Sequence, residues 1–289
     1  MIRFSIESPR GNLSLDGVQQ NGFGVQAQPG VTGLGPPPAS FQWIEGPGAG
    51  SKFRSKRDLS RVIDIPLIVY GPDRVGLKRE VQNLAWITGE QCTLVASDTE
   101  ERDSWRAVAY RIGGFDYVYG VDTTGRATLK TVLTFRTPDP YWTRTRPQQQ
   151  IAQNSGAGRG LLSGSLTKLR LSASQAIGTF VLDNPGDVEA YPLWRATGPG
   201  QNFQAVHPVS GRDFIWEGTI PALETLRVDT RTGKVTFESD GSNQYALLGH
   251  APLLWAIPPG TSTASVGMTD TTLDSRIECT WNPRKQLVV

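Results

Sequence analysis

The sequence predicts a mainly β protein of two successive domains, with a single α-helix in the first. Three observations predict it. Apolar residues recur with period two in most segments, as in half-buried strands. Glycine (32) and proline (20) are abundant, as many turns between short strands require. Only "PDRVGLKREVQNLAWITG" carries the helical period. The chain has 289 residues, 38% hydrophobic and 19% charged, which is globular composition and enough length for two domains. The expected division is 1–146 for an N-terminal β-domain, 147–176 for a linker or extended excursion, and 177–289 for a C-terminal β-domain.

Each element has its own signal. Ile2, Phe4 and Ile6 alternate with Arg3, Ser5 and Glu7, and Leu13 and Leu15 repeat the pattern after a hairpin at Ser8 to Asn12. Gly22 to Ser40, with Pro36 to Pro38, reads as ordered loop. "RVIDIPLIVYG" places Ile63, Ile65, Leu67 and Val69 on one face, and its Pro66 predicts an edge strand or a bulge. In the helix, expected over about 72–89, Leu77, Val81 and Leu84 share a face. Asp73 is the expected N-cap and Gly89 the expected C-terminal closure, while Gly76 weakens the helix by about 1 kcal/mol against alanine. "CTLVAS", "SWRAVAYRI", "FDYVYG" and "RATLKTVLTFRT" are strands. In the last, Leu129, Leu133 and Phe135 face one way with Thr131, and Lys130, Thr134 and Arg136 the other. Pro138 and Pro140 end that strand, and Tyr141 and Trp142 fold back over the rim of its sheet.

Gln148 to Ser165 reads as linker. Beyond it come a strand, an Asn-Pro-Gly-Asp turn, and a strand in which Ala190, Pro192 and Trp194 alternate with Tyr191, Leu193 and Arg195. A hairpin pairs Leu226 and Val228 with Val235 and Phe237 around Asp229 to Gly233. "PLLWAIPPGTSTASV" reads as strand, turn and strand, and "SRIECTWNP" as a final strand. No helix is expected after residue 90.

Composition and motifs speak against several functions. A net charge of +2 is too small to argue for a nucleic-acid or membrane partner by itself. Cys92 and Cys279 lie too far apart for a zinc motif and read as buried free thiols in a reducing compartment. The charged N-terminus is not a signal peptide and no run is long enough to span a membrane, so synthesis and folding in the cytosol are expected. Neither His207 nor His250 has partners at metal or triad spacing. Asp98, Glu100, Glu101 and Asp103 read as a solvated loop rather than a glycosidase pair. Eight tryptophans are expected in cores or interfaces before sugar sites. No phosphate-binding glycine motif is present, and no cofactor, metal or catalytic residue is assigned. One basic run, Lys52, Arg54, Lys56, Arg57 and Arg61 in "SKFRSKRDLSR", is a candidate for contact with phosphates or an acidic partner surface. Its plainer reading is a charged surface loop.

Four motifs in order resemble the distal tail protein of siphophages, the phage tail-component family, in the flavour of the minor tail proteins of actinobacterial phages. They are Asp139-Pro140-Tyr141-Trp142 after a strand; Asn184, Gly186 and Asp187 followed by Pro192, Gly198 and Pro199; the hairpin "LRVDTRTGKVTF"; and Trp255, Pro259 and Gly260 in "WAIPPG". The resemblance spans nearly the whole chain. It implies a non-enzymatic structural protein of the virion tail tip, made in the host cytoplasm. Its N-terminal β-barrel or sandwich-like domain would form a ring, a homo-hexamer, and its C-terminal domain would be a galectin-like β-sandwich outside it. The ring would join the tail tube protein to the tail-tip and tape-measure-associated hub proteins. DNA would pass transiently through its centre. That the basic run Lys52 to Arg61 lines this channel is a separate hypothesis, drawn from its charge and not from the resemblance. The alternative is a carbohydrate-binding module that holds a host-surface glycan; a tail-associated hydrolase is disfavoured by the scarcity of histidine and the lack of a catalytic motif.

Overall fold

In the computed structural model the described residues are 2–19, 22–98, 100, 103–116, 127–153, 176–207 and 209–288. They form two compact units, Met1–Thr145 with Lys285–Val289, and Arg146–Arg284.

The N-terminal unit contains β1 (Ile2–Ser8), β2 (Gly11–Ser14), β3 (Asp16–Val18), β4 (Gly24–Ala27), β5 (Ala39–Glu45), β6 (Ser51–Asp58), β7 (Arg61–Tyr70), α1 (Arg74–Ile87), β8 (Cys92–Asp98), β9 (Asp103–Gly114), β10 (Thr128–Thr137) and β11 (Trp142–Arg144). Eight strands run in the order β2-β1-β8-β9-β10-β7-β4-β3, and β11 adds to β9. The sheet nearly closes into a barrel, because its two ends meet at Leu15. That residue donates its N–H to Phe4 O and accepts from Ala27 N, each at 2.9 Å. Closure removes the open edges that a sheet otherwise exposes. Ile6, Val25, Ile63, Ile65, Leu67, Val69, Leu94, Leu133, Phe135 and Trp142 fill the interior with α1 residues Leu77, Leu84 and Ile87.

The predicted hairpin is present, with Ser8 opposite Gly11. Pro66 does not mark an edge: β7 lies between β10 and β4. Pro66 O accepts from Gln28 N at 2.8 Å, so its missing donor points to the side where β4 has already ended at Ala27. The strand keeps its whole ladder with β10 on the other side. "FDYVYG" lies largely outside the described residues.

The helix starts as expected, with Asp73 Oδ1 accepting from Gly76 N at 2.7 Å. Its end differs. Thr88, not Gly89, is the C-cap, and the Thr88 N–H and Oγ1 both donate to Leu84 O. Gly76 is there for space. A Cβ on it would lie 2.7 Å from Pro72 Cδ and 3.2 Å from Phe23 Cε1. Helix propensity alone favours alanine by ~1 kcal/mol, but the clash reverses the sign. Gly76→Ala is expected to lower the melting temperature; a rise would show that Pro72 yields freely.

The C-terminal unit contains β12 (Gln148–Gln153), β13 (Ala176–Asn184), β14 (Leu193–Thr197), β15 (Gly200–His207), β16 (Arg212–Ile220), β17 (Thr225–Asp229), β18 (Lys234–Phe237), β19 (Gly260–Thr269) and β20 (Arg276–Trp281). Two antiparallel sheets, β12-β20-β14-β17-β18 and β13-β19-β15-β16, carry the core residues of this unit as a β-sandwich. Trp194 is its centre, with ring centroids of Trp255 at 5.4 Å, Phe180 at 6.0 Å, Phe203 at 6.2 Å and Phe214 at 6.4 Å. The Asn-Pro-Gly-Asp turn is locked by buried Asn184. It donates to Val188 O and Ile257 O and accepts from Gly186 N. A Cβ on Gly186 would sit 2.1 Å from Arg284 O, so only glycine fits.

Three expectations are corrected. Gln148–Gln153 is not linker but an edge strand, paired from Gln148↔Trp281 to Gln153↔Arg276. Gln149, Gln150 and Gln153 are exposed and the small Ala152 is the residue that packs on the core, which hid the strand from a hydrophobic reading. Residues 154–175 of the expected linker lie outside the described residues. "LLWAI" makes one isolated bridge, Ala190↔Ile257, rather than a strand, although Trp255 is buried and donates to Ala205 O. Among the described residues after residue 90 there is one 3-10 turn, Tyr245–Leu247.

Candidate functional site

The described residues offer no group of three or more His, Cys, Asp or Glu placed to hold a metal. His207 is 2% exposed, with Nδ1 2.9 Å from Ser210 Oγ and its ring 5.0 Å from that of Trp255. His250 is exposed in the turn Gly249 to Ala251. Asp103 pairs with Arg144 Nε at 2.9 Å, and Asp98 accepts from Glu100 N; Glu101 lies outside the described residues. Both cysteines are buried and free, and burial pushes the Cys92 thiol up to about 11 and Cys279 well up. Such thiols are poor nucleophiles.

Burial, and then the positive charge of Arg212, depress the His207 pKa. The folded protein therefore binds the proton less tightly than the unfolded chain, and stability falls as pH drops below the unfolded value of about 6.5. The C-terminal unit of the native protein is expected to melt lower at pH 5 than at pH 7.5, with the difference reduced in His207→Gln. An unchanged difference would remove His207 as its source.

The feature that stands apart is β5–β6. Among the described residues these strands pair only with each other, in a two-stranded ribbon from Ala39↔Asp58 to Glu45↔Ser51. Almost every side chain on it is exposed. Strand alternation gives it two faces. Phe41 and Trp43 share one face, and the register adds Phe53 opposite Trp43 and Lys56 opposite Phe41. The rings touch, Phe41 to Trp43 at 6.4 Å between centroids and Trp43 to Phe53 edge-on at 5.6 Å. The other face carries Ser40, Gln42 and Ile44 with Arg57, Ser55 and Lys52 opposite them. A bulge between Gln42 and Trp43 falls where Arg54 has no partner residue across the ribbon.

An isolated two-stranded ribbon is marginal in water, so its root is pinned. Leu59 N donates to Pro38 O at 2.7 Å. Tyr141 Oη donates to Asp58 Oδ2 at 2.5 Å, and Lys56 Nζ lies 3.0 Å from Asp58 Oδ1. Those two partners, Tyr141 first, lower the Asp58 pKa. Asp139 accepts from Tyr141 N at 3.2 Å, and Trp142 is fully buried in the barrel. The Asp-Pro-Tyr-Trp element thus closes the barrel with its tryptophan and grips the arm with its tyrosine.

Of the five basic residues singled out in sequence, Lys52, Arg54, Lys56 and Arg57 lie together on β6. The structure removes Arg61 from that surface. It sits on β7 at 2% exposure and donates to Gly33 O (3.1 Å), Gly35 O (3.0 Å) and Gln286 O (2.5 Å). Period two, counted back from Ile63, places position 61 on the inward face. Six of the eight tryptophans are buried. The exceptions are Trp43 on the arm, 56% exposed, and Trp86 on α1, under Arg10 at 4.0 Å. Sequence reading missed the aromatic face, although Phe41, Trp43 and Phe53 flank a glycine-rich turn at the spacing of a hairpin.

No family model and no curated protein matches the chain. Among solved structures it is similar to the SPP1 Dit (gp 19.1) protein, described as a paradigm of the hub adsorption apparatus in phages that infect Gram-positive bacteria. The TM-score is 0.63 at 12% identity, over 97% of this chain and 98% of that one. It is also similar to a chain of the phage P2 baseplate in its activated conformation with Ca, at TM-score 0.56 and 9% identity. The same baseplate with Sr gives 0.53 and 10%, and both matches cover all of both chains. The chain therefore has the fold of phage Dit hub and baseplate proteins from end to end.

Proposed function

We propose that this protein is the distal tail hub of a siphophage, a structural component of the tail tip. The observation that carries the reading is the fold match to a Dit hub protein over both units at once, which a shared sandwich alone would not give. In this reading the N-terminal units of about six copies form a ring. It joins the tail tube to the tail-tip proteins and leaves a central passage for DNA, and the C-terminal sandwich lies outside the ring. The exposed β5–β6 arm supports the assembly part. Three uncovered aromatic rings on a ribbon are costly in water and are the residue types that anchor interfaces. Of the four cations on the arm, Lys52, Arg54 and Arg57 are proposed to face the passage or an acidic partner, while Lys56 lies on the aromatic face, paired with Asp58. The sugar-binding alternative gains no support from tryptophan: Trp194, Trp216, Trp255 and Trp281 of the C-terminal unit are all buried.

The test is a double variant, Trp43→Ser with Phe53→Ser. Both residues are exposed, so circular dichroism and melting temperature are expected to stay as in the parent. The assembled species is expected to be lost, with at least a hundredfold weaker association by sedimentation. Full assembly of the variant would exclude the arm as the joining element.

A further inference from the structure

The arm needs a receiving surface, and the outside of the barrel offers one. Residues that alternate with the core of β7, β9 and β10 point to solvent. Across these three strands several are apolar, in two groups separated on β7 and β10 by Thr134, whose Oγ1 donates to Asp64 Oδ1 at 2.7 Å. Val62 and Tyr110 both lie opposite Arg136, from β7 and β9 on either side of β10. Val132 lies opposite Pro66. Val108 and Ile112 flank Tyr110 on the same side of β9. The exposures of Val62, Val108, Tyr110, Ile112 and Val132 run from 42% to 56%. Their charged neighbours on this face are the exposed cations Arg106, Lys130 and Arg136 and the half-buried Asp64, whose carboxylate accepts from Thr134 and Thr32.

That combination fits one face of the arm and not the other. Phe41, Trp43 and Phe53 would cover the valines and the isoleucine and offer ring faces to the arginines, a favourable cation–π arrangement. Lys52 and Arg57, on the arm's other face, would then point away from Arg106, Lys130 and Arg136, while Lys56 on the aromatic face is paired with Asp58 at 3.0 Å. The reverse docking would set cation against cation. The arm's own barrel cannot be the recipient in this conformation, since both surfaces are uncovered in the single chain.

Building on the hub reading, we propose that the aromatic face of the β5–β6 arm of one copy docks on the outer face of β7–β9–β10 of the next copy. The contact joins two different surfaces, so it is heterologous. Repeated around an axis it closes a ring, and without closure it makes a filament. It also turns the basic face of each arm outward from the joint, where the proposed passage or an acidic partner would meet it.

Two full-length variants with different tags, Glu45→Cys and Lys130→Cys, test this by co-expression and reaction with a short bis-maleimide. Glu45 shares the aromatic face and Lys130 borders these apolar residues, and both are exposed, so neither change removes the contact. Cys92 and Cys279 are buried and do not compete. The expected result is a mixed-tag product of twice the chain mass. It should be absent when Val181→Cys, exposed on the C-terminal unit, replaces Lys130→Cys. Oligomers that form without the mixed product would overturn the docking and leave the hub reading standing. A chain that stays monomeric at every concentration would overturn assembly through the arm and the docking with it.

Discussion

Arg61→Ala is expected to lower the stability of the N-terminal unit by about 3 kcal/mol or more, while the C-terminal unit melts unchanged. The residue looks like the last member of a basic surface run, yet it is a buried clasp. Its guanidinium gathers three backbone carbonyls, from Gly33, Gly35 and Gln286, which join the proline-rich loop, the barrel wall and the C-terminal segment. Beside it, Val288 is buried and its N–H donates to Leu34 O at 3.3 Å. Burial lowers the Arg61 pKa, opposed by Asp139 and then Tyr141, but guanidinium stays charged in proteins. Removing it leaves three carbonyls without their donor in a place water reaches poorly. Calorimetry of the variant against the parent reads the effect. Equal melting of both would mean that water replaces the side chain without loss, and that the C-terminal segment needs no clasp.

Trp194→Ala acts on the other unit and is expected to cost about 3–5 kcal/mol there, the range for removing a large aromatic from a packed core. Four aromatic rings surround Trp194, and all are themselves buried. The sheets cannot collapse into the space without breaking the ladders from β14 to β17 and β20. The indole Nε1 has no hydrogen-bond partner among the described residues, so Trp194→Phe keeps most of the packing and sheds an unsatisfied donor. It is expected to lose far less than alanine. Chemical denaturation of the three proteins checks the order. A phenylalanine variant as unstable as the alanine one would show that ring size, not burial of a ring, sets the stability.

Strands were legible wherever one face was buried. Ile63 to Val69 and Leu129 to Phe135 announce themselves because the barrel wall has a dry side and a wet side. The N-cap of α1 was legible because Asp73 bonds locally, while its C-terminal closure was not, because Thr88 does the work expected of Gly89. Elements held mainly by backbone pairing leave little hydrophobic trace, as in Gln148–Gln153, where Ala152 packs on the core. Arg61 misleads because charge usually marks the surface, while period two from Ile63 places it inside, where it is buried. The arm was half legible. Its cations stood out in composition, but its aromatic face appears only once the register sets Phe53 across from Trp43. The order of motifs, above all Asp-Pro-Tyr-Trp, anticipated the whole-chain fold. In the structure that element closes the barrel and holds the arm's root.

The most direct test of the hub reading is the mass of the purified full-length chain by sedimentation across a wide concentration range, with negative-stain images of the same sample. The reading predicts a discrete species of about six copies with a central hole, formed at the expense of monomer as concentration rises. A strict monomer throughout, or an open series of sizes without closure, would contradict it.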